Sequence, residues 1–544
     1  MTPVLTGGPA AAEEGIVPTS PAAAASAGGF AAAGTVPEPL TWAPGLPPAQ
    51  LPPAMNGADL ARTPPMGWNN WAHYGCKTDN PYAGHEGVSE QLFRTVADNL
   101  VSGGLAAKGY KSVNIDDCWM TNKRDSKGDL STNTDLFPSG MKALGDYIHA
   151  KGLKYGIYND AGFATCAGQS GSEGHFAADA KLFARYGVDY VKMDGCNVTV
   201  PAGKTRLQAY VDAYTAMSKA LADTGRPMVH SQSEPGYVYI GVENKSDWYS
   251  ALLHSQQTGQ LWREGDDGYV WTPRTREGDG WGFVQTNYNY NWPLARYSQA
   301  NSWNDPDFLL AGDNSLTLDQ QKTQFALWSM MASPLIISND ANKLTDSTTV
   351  SILGNTDIIA IDQDRLGAAA SVVKRTPTAD VLSRPLANGD RAVALFNNSG
   401  SQQTLSTTLA QLGYTTQSRC SFTVKDLWAG TSATYNAKTA ISATLPANAT
   451  AIYRVSASYG CGTTTATIPI TGPINTKAGC VTVADSKPGT AATVGACTGA
   501  AGQRLTLPGD GTIRNGSSCL ASTGREGAAV KLAACDASAG QKWT

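Results

Sequence analysis

Strand-like and helix-like stretches alternate along the chain from about residue 62 to residue 364. The strand-like stretches are short apolar and β-branched runs bounded by glycine, proline or polar residues, such as 188–193 and 334–338. Amphipathic stretches separate them, and one places five apolar residues on a single helical face: Leu207, Val211, Tyr214, Met217 and Leu221. Alternation of this kind predicts an α/β fold, in which helices cover a parallel sheet. Because the alternation extends over roughly 300 residues, a (β/α)8 TIM barrel is favoured.

Polar side chains, mostly carboxylates, follow five of the predicted strands: Asp116-Asp117, Asn159-Asp160, Asp194, Glu234 and Asn339-Asp340. Active sites of such barrels lie at the C-terminal ends of the strands, so we expect these side chains to converge. Four tryptophans are expected to join them: Trp68, Trp71, Trp119 and Trp303. An acidic cup with aromatic walls suits a sugar, because carboxylates accept hydrogen bonds from hydroxyls and flat rings cover the C–H faces.

Asp194 directly follows the apolar run 188–193. A carboxylate at the end of a buried strand carries a desolvation cost unless it is paired or used. By itself it could be a capping or ion-paired aspartate. The repetition of acids at other strand ends favours a functional role.

A metal site is the main competing interpretation of the acidic cup, because clustered aspartates can hold Mg²⁺ or Ca²⁺. The sequence has no EF-hand spacing and no His-x-x-x-His, and its six histidines are scattered. We therefore predict neither a metal nor another cofactor.

The charge balance excludes several classes of partner. Lys and Arg total 41 and Asp and Glu total 45, so nothing suggests a nucleic acid or an anionic membrane. The chain also has no apolar run long enough to span a bilayer. The predicted partner is a carbohydrate substrate.

The ten cysteines bear on the cellular compartment. None sits in a close pair of the zinc or thioredoxin kind, and the even count predicts disulfides formed in an oxidising environment. The first residues contain no basic segment followed by an apolar stretch. The prediction that the protein is secreted therefore rests on the cysteines alone.

Changes in composition divide the chain. Residues 1–61 are rich in alanine, proline and glycine and are predicted to be a low-complexity leader before the barrel at 62–364. Short alternating runs predict an antiparallel β-sandwich over 365–456. In 457–544, two units about 40 residues apart each close a short loop with two cysteines: Cys480 and Cys497, then Cys519 and Cys535. A trefoil has three such units, so we predict a partial β-trefoil.

Five motifs, in this order, resemble those of glycoside hydrolase family 27, the α-galactosidase family: Pro65-Met66-Gly67-Trp68-Asn69-Asn70-Trp71, Ile115-Asp116-Asp117-Cys118-Trp119, Tyr155-Gly156-Ile157-Tyr158-Asn159-Asp160-Ala161-Gly162, Lys192-Met193-Asp194-Gly195-Cys196 and Trp303-Asn304-Asp305-Pro306-Asp307. The resemblance covers about residues 62–456. The tail resembles the ricin-type carbohydrate-binding β-trefoil, but its repeats lack the aspartate that follows the cysteine in sugar-binding units.

The resemblance implies a retaining mechanism through a covalent glycosyl-enzyme intermediate. Asp194 matches the nucleophile, and Lys192 would bind a hydroxyl of the sugar and keep that carboxylate ionised. Asp267 matches the acid/base, four residues after Arg263, and Asp266 is its immediate rival. A retaining enzyme needs two carboxyl groups about 5–5.5 Å apart, which a sequence cannot measure.

The family also implies roles in substrate binding. Asp116 and Asp117 match an aspartate pair that holds O4 and O6 of galactose, although one of them could simply cap a helix. Arg263 would lie on the O2 side. Trp71 matches a tryptophan under the sugar, and Tyr158 matches a tyrosine that lines the pocket, although it could equally be a packing residue. Glu234 is kept, and a glutamate there suits a free 2-hydroxyl of the sugar.

Two disulfides follow from the resemblance, Cys76 with Cys118 and Cys166 with Cys196. The segment 231–235 departs from the family pattern, because it lacks the expected cysteine and tryptophan. The loop 236–262 and the stretch 269–300 that follows it are unusually long and aromatic. They could form extra sugar subsites or be a packed insertion.

The sequence thus predicts an enzyme that releases terminal α-D-galactose. Because of the departures, two hydrolases of the same fold stay as alternatives, a β-L-arabinopyranosidase and an isomaltose-releasing dextranase. A carbohydrate-binding protein without catalysis is the alternative from another class. The pair Asp116-Asp117 argues against the dextranase, and the acids at Asp194 and near Arg263 argue against the binding protein.

Overall fold

The computed structural model describes most of the chain from residue 60 onward, together with one short segment before it: 38–39, 60–76, 87–239, 245–265, 267–268, 280–312, 315–414, 418–458, 461–462, 470–472, 474–476, 479–496, 498, 500–507, 512–523, 528–536 and 538–541. Nearly all of the predicted leader lies outside these residues. Asp266 and Cys497 also lie outside them, as does most of the aromatic stretch before residue 280.

Eight parallel strands form the sheet of the first domain: β1 Met66–Asn69, β2 Ser112–Asn114, β3 Lys154–Asp160, β4 Tyr190–Asp194, β5 Val229–Gln232, β6 Leu261–Arg263, β7 Trp303–Asp305 and β8 Leu335–Ile337. Neighbours in sequence are neighbours in the sheet from β1 to β7, and β8 pairs with β1. The barrel closes where Leu309, beyond β7, bridges Ile337 in parallel. The predicted (β/α)8 barrel is confirmed.

Helices surround this sheet, most of them on the connections between strands: α1 Glu90–Ser102, α2 Met141–Ala150, α3 Phe176–Tyr186, α4 Arg206–Asp223, α5 Glu234–Tyr239, α6 Lys245–Thr258, α7 Gly280–Asn291, α8 Leu318–Met330, α9 Ser347–Leu353 and α10 Thr356–Asp362. Single helical turns and 3₁₀ segments lie between some of them, such as Trp71–Tyr74 directly after β1.

Local sequence signals fix the two helices around β4. Helix α3 ends at Gly187, whose φ of 79° is left-handed and turns the chain directly into β4. Helix α4 begins with a capping box between Thr205 and Gln208. Its apolar face, including Met217 and Leu221, is buried. These boundaries place Asp194 at the C-terminal end of β4.

The second domain is antiparallel: β9 Ser371–Thr376, β10 Ala379–Pro385, β11 Arg391–Asn397, β12 Gln403–Thr408, β13 Ser421–Asp426, β14 Ser432–Asn436, β15 Ala440–Leu445 and β16 Thr450–Ala457. Six strands form one sheet in the order β9-β10-β11-β16-β13-β14, and β12 pairs with β15 in a second sheet. This arrangement confirms the predicted β-sandwich.

The part of the aromatic stretch that the structure describes packs against this sandwich. The ring of Tyr288 in α7 is buried against Phe396, and its hydroxyl donates a hydrogen bond of 2.8 Å to Asp380. Trp281 also contacts Phe396 edge-on. Between the two interpretations of this stretch, the structure therefore favours a packed insertion for α7, while Trp271 lies outside the described residues.

The third domain is built from short antiparallel strands in two sheets. The five-stranded sheet contains Ile470–Gly472, Leu505–Leu507, Arg514–Asn515, Ser518–Ala521 and Lys531–Ala534. The four-stranded sheet contains Asn475–Thr476, Gly479–Val483, Ala492–Gly495 and, from the leader, Glu38–Pro39. Residues 38–39 thus form a strand inside a segment that the sequence predicts to be low-complexity.

Four complete disulfides lie within the described residues: Cys76–Cys118, Cys166–Cys196, Cys420–Cys461 and Cys519–Cys535. The first two are the pairs that the resemblance implies, and the last closes the second repeat of the tail. Cys480 is also disulfide-bonded. No helix in the described part of the chain combines the length and apolarity needed to cross a membrane.

Candidate active site

Asp116 and Lys192 form a buried ion pair at the C-terminal ends of β2 and β4. The Oδ2 atom of Asp116 accepts hydrogen bonds from Nζ of Lys192 at 2.8 Å and from Nδ2 of Asn69 at 2.7 Å. The backbone N–H of Asp116 donates to Oδ1 of Asn70. A carboxylate with these partners is held in one orientation, and its remaining lone pairs can accept a further hydroxyl.

Asp194 lies beside this pair. Its Oδ2 accepts a hydrogen bond of 3.1 Å from the hydroxyl of Tyr158, and its Oδ1 accepts one of 3.0 Å from the backbone N–H of Gly195. Burial raises the pKa of Asp194, the ammonium of Lys192 works against that rise, and the carboxylate of Asp267 adds to it. Lys192 and the two hydrogen bonds therefore favour the ionised form.

Aromatic rings surround the ammonium of Lys192, which lies 5.9 Å from the ring centre of Trp71, 5.1 Å from Tyr158 and 5.5 Å from Phe308. Burial disfavours the charge, but the carboxylates of Asp116 and Asp194 hold the pKa of Lys192 above its usual range. A lysine among aromatic rings gives the pocket both a hydrogen-bond donor and flat apolar walls. The sequence analysis did not single out Phe308.

Asp117 is fully buried next to Asp116. Its two oxygens accept backbone N–H groups from Cys118 at 2.7 Å and Ala167 at 2.9 Å. Burial raises its pKa to about 6, and the two backbone donors oppose that effect. Asp117 thus joins the loops after β2 and β3, both of which carry a disulfide.

Arg263, the last residue of β6, connects two carboxylates. Its Nη2 lies 2.9 Å from Oδ1 of Asp267, and its Nη1 lies 3.0 Å from Oδ1 of Asp307. Asp307 is buried, which raises its pKa to about 7 even though Arg263 opposes the rise. The side chain of Asp267 is 39% exposed and can exchange a proton with solvent.

Asp307 ends the motif 303–307 but was not among the predicted site residues. Its position two residues beyond the end of β7 is the signal that could have identified it, because strand ends meet at the barrel mouth.

Asp160 is a further buried carboxylate at this mouth, and it pairs in register with Asp194 across β3 and β4. It accepts backbone N–H groups from Gly162 at 2.7 Å and Cys196 at 2.9 Å. Its carboxylate also lies near the sulfurs of Cys166 and Cys196. Both sulfurs are in a disulfide, so this group offers no thiolates to a metal.

Glu234, the remaining predicted site residue, has polar partners on α6. It is fully buried at the start of α5, and its Oε2 lies 2.6 Å from Nδ1 of His254 and 3.4 Å from Oγ of Ser255, both on α6. Burial acts to lower the pKa of His254, but the carboxylate of Glu234 outweighs burial and raises that pKa. The predicted contact between Glu234 and a sugar hydroxyl therefore stays a prediction.

Seven of the predicted residues thus meet at the mouth of the barrel. Asp116, Lys192 and Asp194 form one charged group with Trp71 and Tyr158 around it, and Arg263 with Asp267 forms a second. The two groups interact, because the charges of Asp267 and Arg263 both act on Asp194. Two carboxylates in one pocket, one buried and one partly exposed, are the groups needed for acid–base and nucleophilic chemistry on a sugar.

Comparison with known protein families assigns all three domains. The alpha galactosidase A family matches residues 63–364. The chain belongs to this family. The alpha galactosidase C-terminal beta sandwich domain matches residues 376–455, and the ricin-type beta-trefoil lectin domain matches residues 468–544. The resemblance of the barrel and sandwich to the α-galactosidase family and that of the tail to the ricin-type β-trefoil are both confirmed.

A curated relative extends over nearly the whole length of the chain. The alpha-galactosidase A of Aspergillus niger is 37% identical over 488 residues, covering 89% of this chain and 85% of its own length. The prediction that the chain is an enzyme, an α-galactosidase that hydrolyses galactosides, is confirmed by this family membership.

Solved structures agree on the fold. The α-galactosidase of Saccharomyces cerevisiae, solved with raffinose, is 28% identical with a TM-score of 0.62, and the match covers 75% of this chain and 100% of that one. A β-L-arabinopyranosidase of Geobacillus stearothermophilus, solved with arabinose, matches with a TM-score of 0.60 over 73% of this chain and 98% of its own, at 23% identity. At that identity the second match shows the fold alone.

Proposed function

We propose that this α-galactosidase is a retaining enzyme that releases terminal α-D-galactose through a covalent intermediate on Asp194. The observation that carries the proposal is a buried Asp194 that accepts the hydroxyl of Tyr158 and feels the charges of Lys192 and of a second carboxylate, Asp267, which is held by Arg263. This arrangement gives one carboxylate to attack and another to transfer protons.

In the first step, an oxygen of Asp194 forms a bond to the anomeric carbon while the bond from that carbon to the leaving oxygen breaks. Asp267 gives its proton to the leaving oxygen. In the second step, Asp267 takes a proton from water, the water oxygen bonds to the anomeric carbon, and the ester to Asp194 breaks. Two inversions return the α configuration.

We propose that Asp116 and Asp117 accept hydrogen bonds from O4 and O6 of galactose, with Trp71 and Tyr158 lining the pocket and Arg263 on the O2 side. Asp116 is held by Lys192 and Asn69, so its remaining lone pairs have fixed directions. The β-L-arabinopyranosidase alternative differs at this point, because its glycone lacks C6 and therefore makes no contact through O6.

Initial rates on p-nitrophenyl α-D-galactopyranoside and p-nitrophenyl β-L-arabinopyranoside, measured side by side, test the glycone. We expect a strong preference for the galactoside. Proton NMR of the first sugar released tests the mechanism, and we expect α-galactose before mutarotation. A preference for the arabinoside would overturn the glycone, release of β-galactose would overturn the retaining mechanism, and binding without turnover would support a binding protein.

The substitution Lys192→Met, which keeps the length of the side chain and removes its charge, tests the electrostatics. Lys192 opposes the rise in the pKa of Asp194, so its loss raises that pKa further. Because attack needs the ionised carboxylate, we expect the acid limb of the kcat/KM profile to move to higher pH. We also expect kcat/KM at the optimum to fall about 10–100-fold, since charge-assisted hydrogen bonds are lost. A fall in kcat/KM without a shift of the acid limb would contradict the role of Lys192 in keeping Asp194 ionised. The exposed Lys219, on α4, is the control, and Lys219→Met should change neither quantity.

We also propose that the protein is secreted. The disulfides at the barrel mouth and in the sandwich support an oxidising compartment. The division of the chain at residues 61, 364 and 456 is likewise a proposal, and the order of the three matched domains supports it.

A further inference from the structure

Phe163 is the most exposed of the large apolar side chains in the described part of the chain, at 65%. It lies in the loop after β3, three residues beyond Asp160, which pairs in register with Asp194. The loop that carries the ring therefore lies at the C-terminal mouth of the barrel, beside the loop that follows the proposed nucleophile. Single exposed apolar residues are common on protein surfaces, so its setting decides whether this one has a role.

The backbone around Phe163 is firmly held, although the ring is exposed. Its N–H donates to the carbonyl of Asn197 at 3.3 Å, and its carbonyl accepts the N–H of Gly171 at 3.1 Å. The side chain of Asn197 donates to the carbonyls of Ala164 and Thr165 at 3.1 and 3.2 Å. Asn197 adopts a left-handed φ of 52° to do so, a conformation that asparagine tolerates better than most residues.

The loop is also joined to the loop after β4. The disulfide Cys166–Cys196 connects the two. Gly162 packs so closely on the second loop that a Cβ there would lie 2.1 Å from the carbonyl oxygen of Cys196. Val200, 44% exposed, continues the apolar character along this second loop. The backbone that carries this exposed ring is therefore held in place, and a rigid loop loses little conformational freedom when it binds a ligand.

We propose that Phe163 forms a leaving-group subsite, where its ring stacks on the sugar to which the galactosyl group is attached. This inference rests on the proposed function. The terminal galactosyl group fills the acidic cup, so the remainder of an oligosaccharide must project outward past the rim. An uncharged ring suits the C–H face of a pyranose, and the occupant is therefore a saccharide and not a small alcohol.

The test compares kcat/KM for raffinose and melibiose, whose leaving groups are sugars, with kcat/KM for methyl α-D-galactopyranoside, whose leaving group is methanol. For Phe163→Ala we expect a fall of about 3–10-fold on the two oligosaccharides, the size of one aromatic stacking contact, and no change on the methyl glycoside. Phe163→Trp should restore the oligosaccharide rates. Leu366→Ala, at a side chain 45% exposed beyond the barrel strands, is the control and should change none of them.

An equal fall on all three substrates would overturn the subsite, as would unchanged rates on all three. Size-exclusion chromatography tests whether a second copy of the chain covers the ring instead. If wild type is a dimer and Phe163→Ala is a monomer, the ring belongs to a contact between two copies. Wild-type activity on the methyl glycoside tests the proposed function separately, since the subsite does not contact a methyl leaving group. If wild type does not hydrolyse the methyl glycoside, both the proposed function and the subsite are overturned.

Discussion

Asp194→Asn is expected to lower kcat/KM on α-galactosides by on the order of 10⁴-fold or more, because no covalent intermediate can form without the carboxylate. The change keeps the size of the side chain, and asparagine can still accept the hydrogen bond from Tyr158. Loss of activity with an unchanged melting temperature would therefore report on chemistry. Residual activity within a factor of about ten of wild type would contradict the role of nucleophile.

Azide can test directly whether Asp194 is the nucleophile. In Asp194→Gly the cavity left by the carboxylate admits a small anion, which attacks the anomeric carbon in its place. We expect azide to restore turnover and to give β-galactosyl azide, because a single inversion then occurs. Recovery of α-galactosyl azide instead would show that another carboxylate in the site still acts as nucleophile.

Asp189 offers a matched control on the N-terminal side of the same strand. Its carboxylate contacts Arg226 and His149, each at 2.7 Å, at the opposite end of β4 from Asp194. Residues at that face of a barrel contribute to stability and lie far from the site. Asp189→Asn should lower the melting temperature and leave kcat/KM unchanged.

The barrel and its mouth were predictable from the sequence because their signals are local. A short apolar run such as 188–193 identifies a strand by itself, and an acid that follows it must lie at the mouth once the strands are parallel. Asp116, Asp117 and Asp194 were found in this way, before any partner was known.

Contacts between distant segments were not predictable. Asp307 meets Arg263 only because β6 and β7 are neighbours in the closed sheet. The pairing of Cys420 with Cys461 likewise depends on β13 lying beside β16. No spacing in the sequence encodes such contacts.

Glu234 shows a different limit, because a position in a motif does not tell which groups its side chain contacts. Here the segment 231–235 lacks the expected cysteine and tryptophan, and α5 begins at Glu234. Its carboxylate turns toward His254 on α6. The resemblance identified the residue, but the helix determines what it contacts.

Asp267→Asn is expected to produce the second largest effect, and one that depends on the leaving group. On raffinose or methyl α-D-galactopyranoside the leaving oxygen needs a proton, so kcat/KM should fall about 10²–10⁴-fold, the usual contribution of general acid catalysis. On 2,4-dinitrophenyl α-D-galactopyranoside the phenolate leaves without protonation, so kcat/KM should change much less.

The same variant distinguishes Asp267 from its neighbour Asp266. Asp267 lies 2.9 Å from Arg263, and its charge acts on Asp194, so the two carboxylates belong to one site. Asp266→Asn should leave the ratio of kcat/KM on the dinitrophenyl galactoside to kcat/KM on raffinose as in wild type. If this ratio rises in Asp266→Asn and not in Asp267→Asn, the acid/base is Asp266, and Asp267 serves to hold Arg263. Added azide gives a second readout, because an anion needs no general base. It should accelerate the dinitrophenyl reaction of the variant that has lost the true acid/base and give α-galactosyl azide.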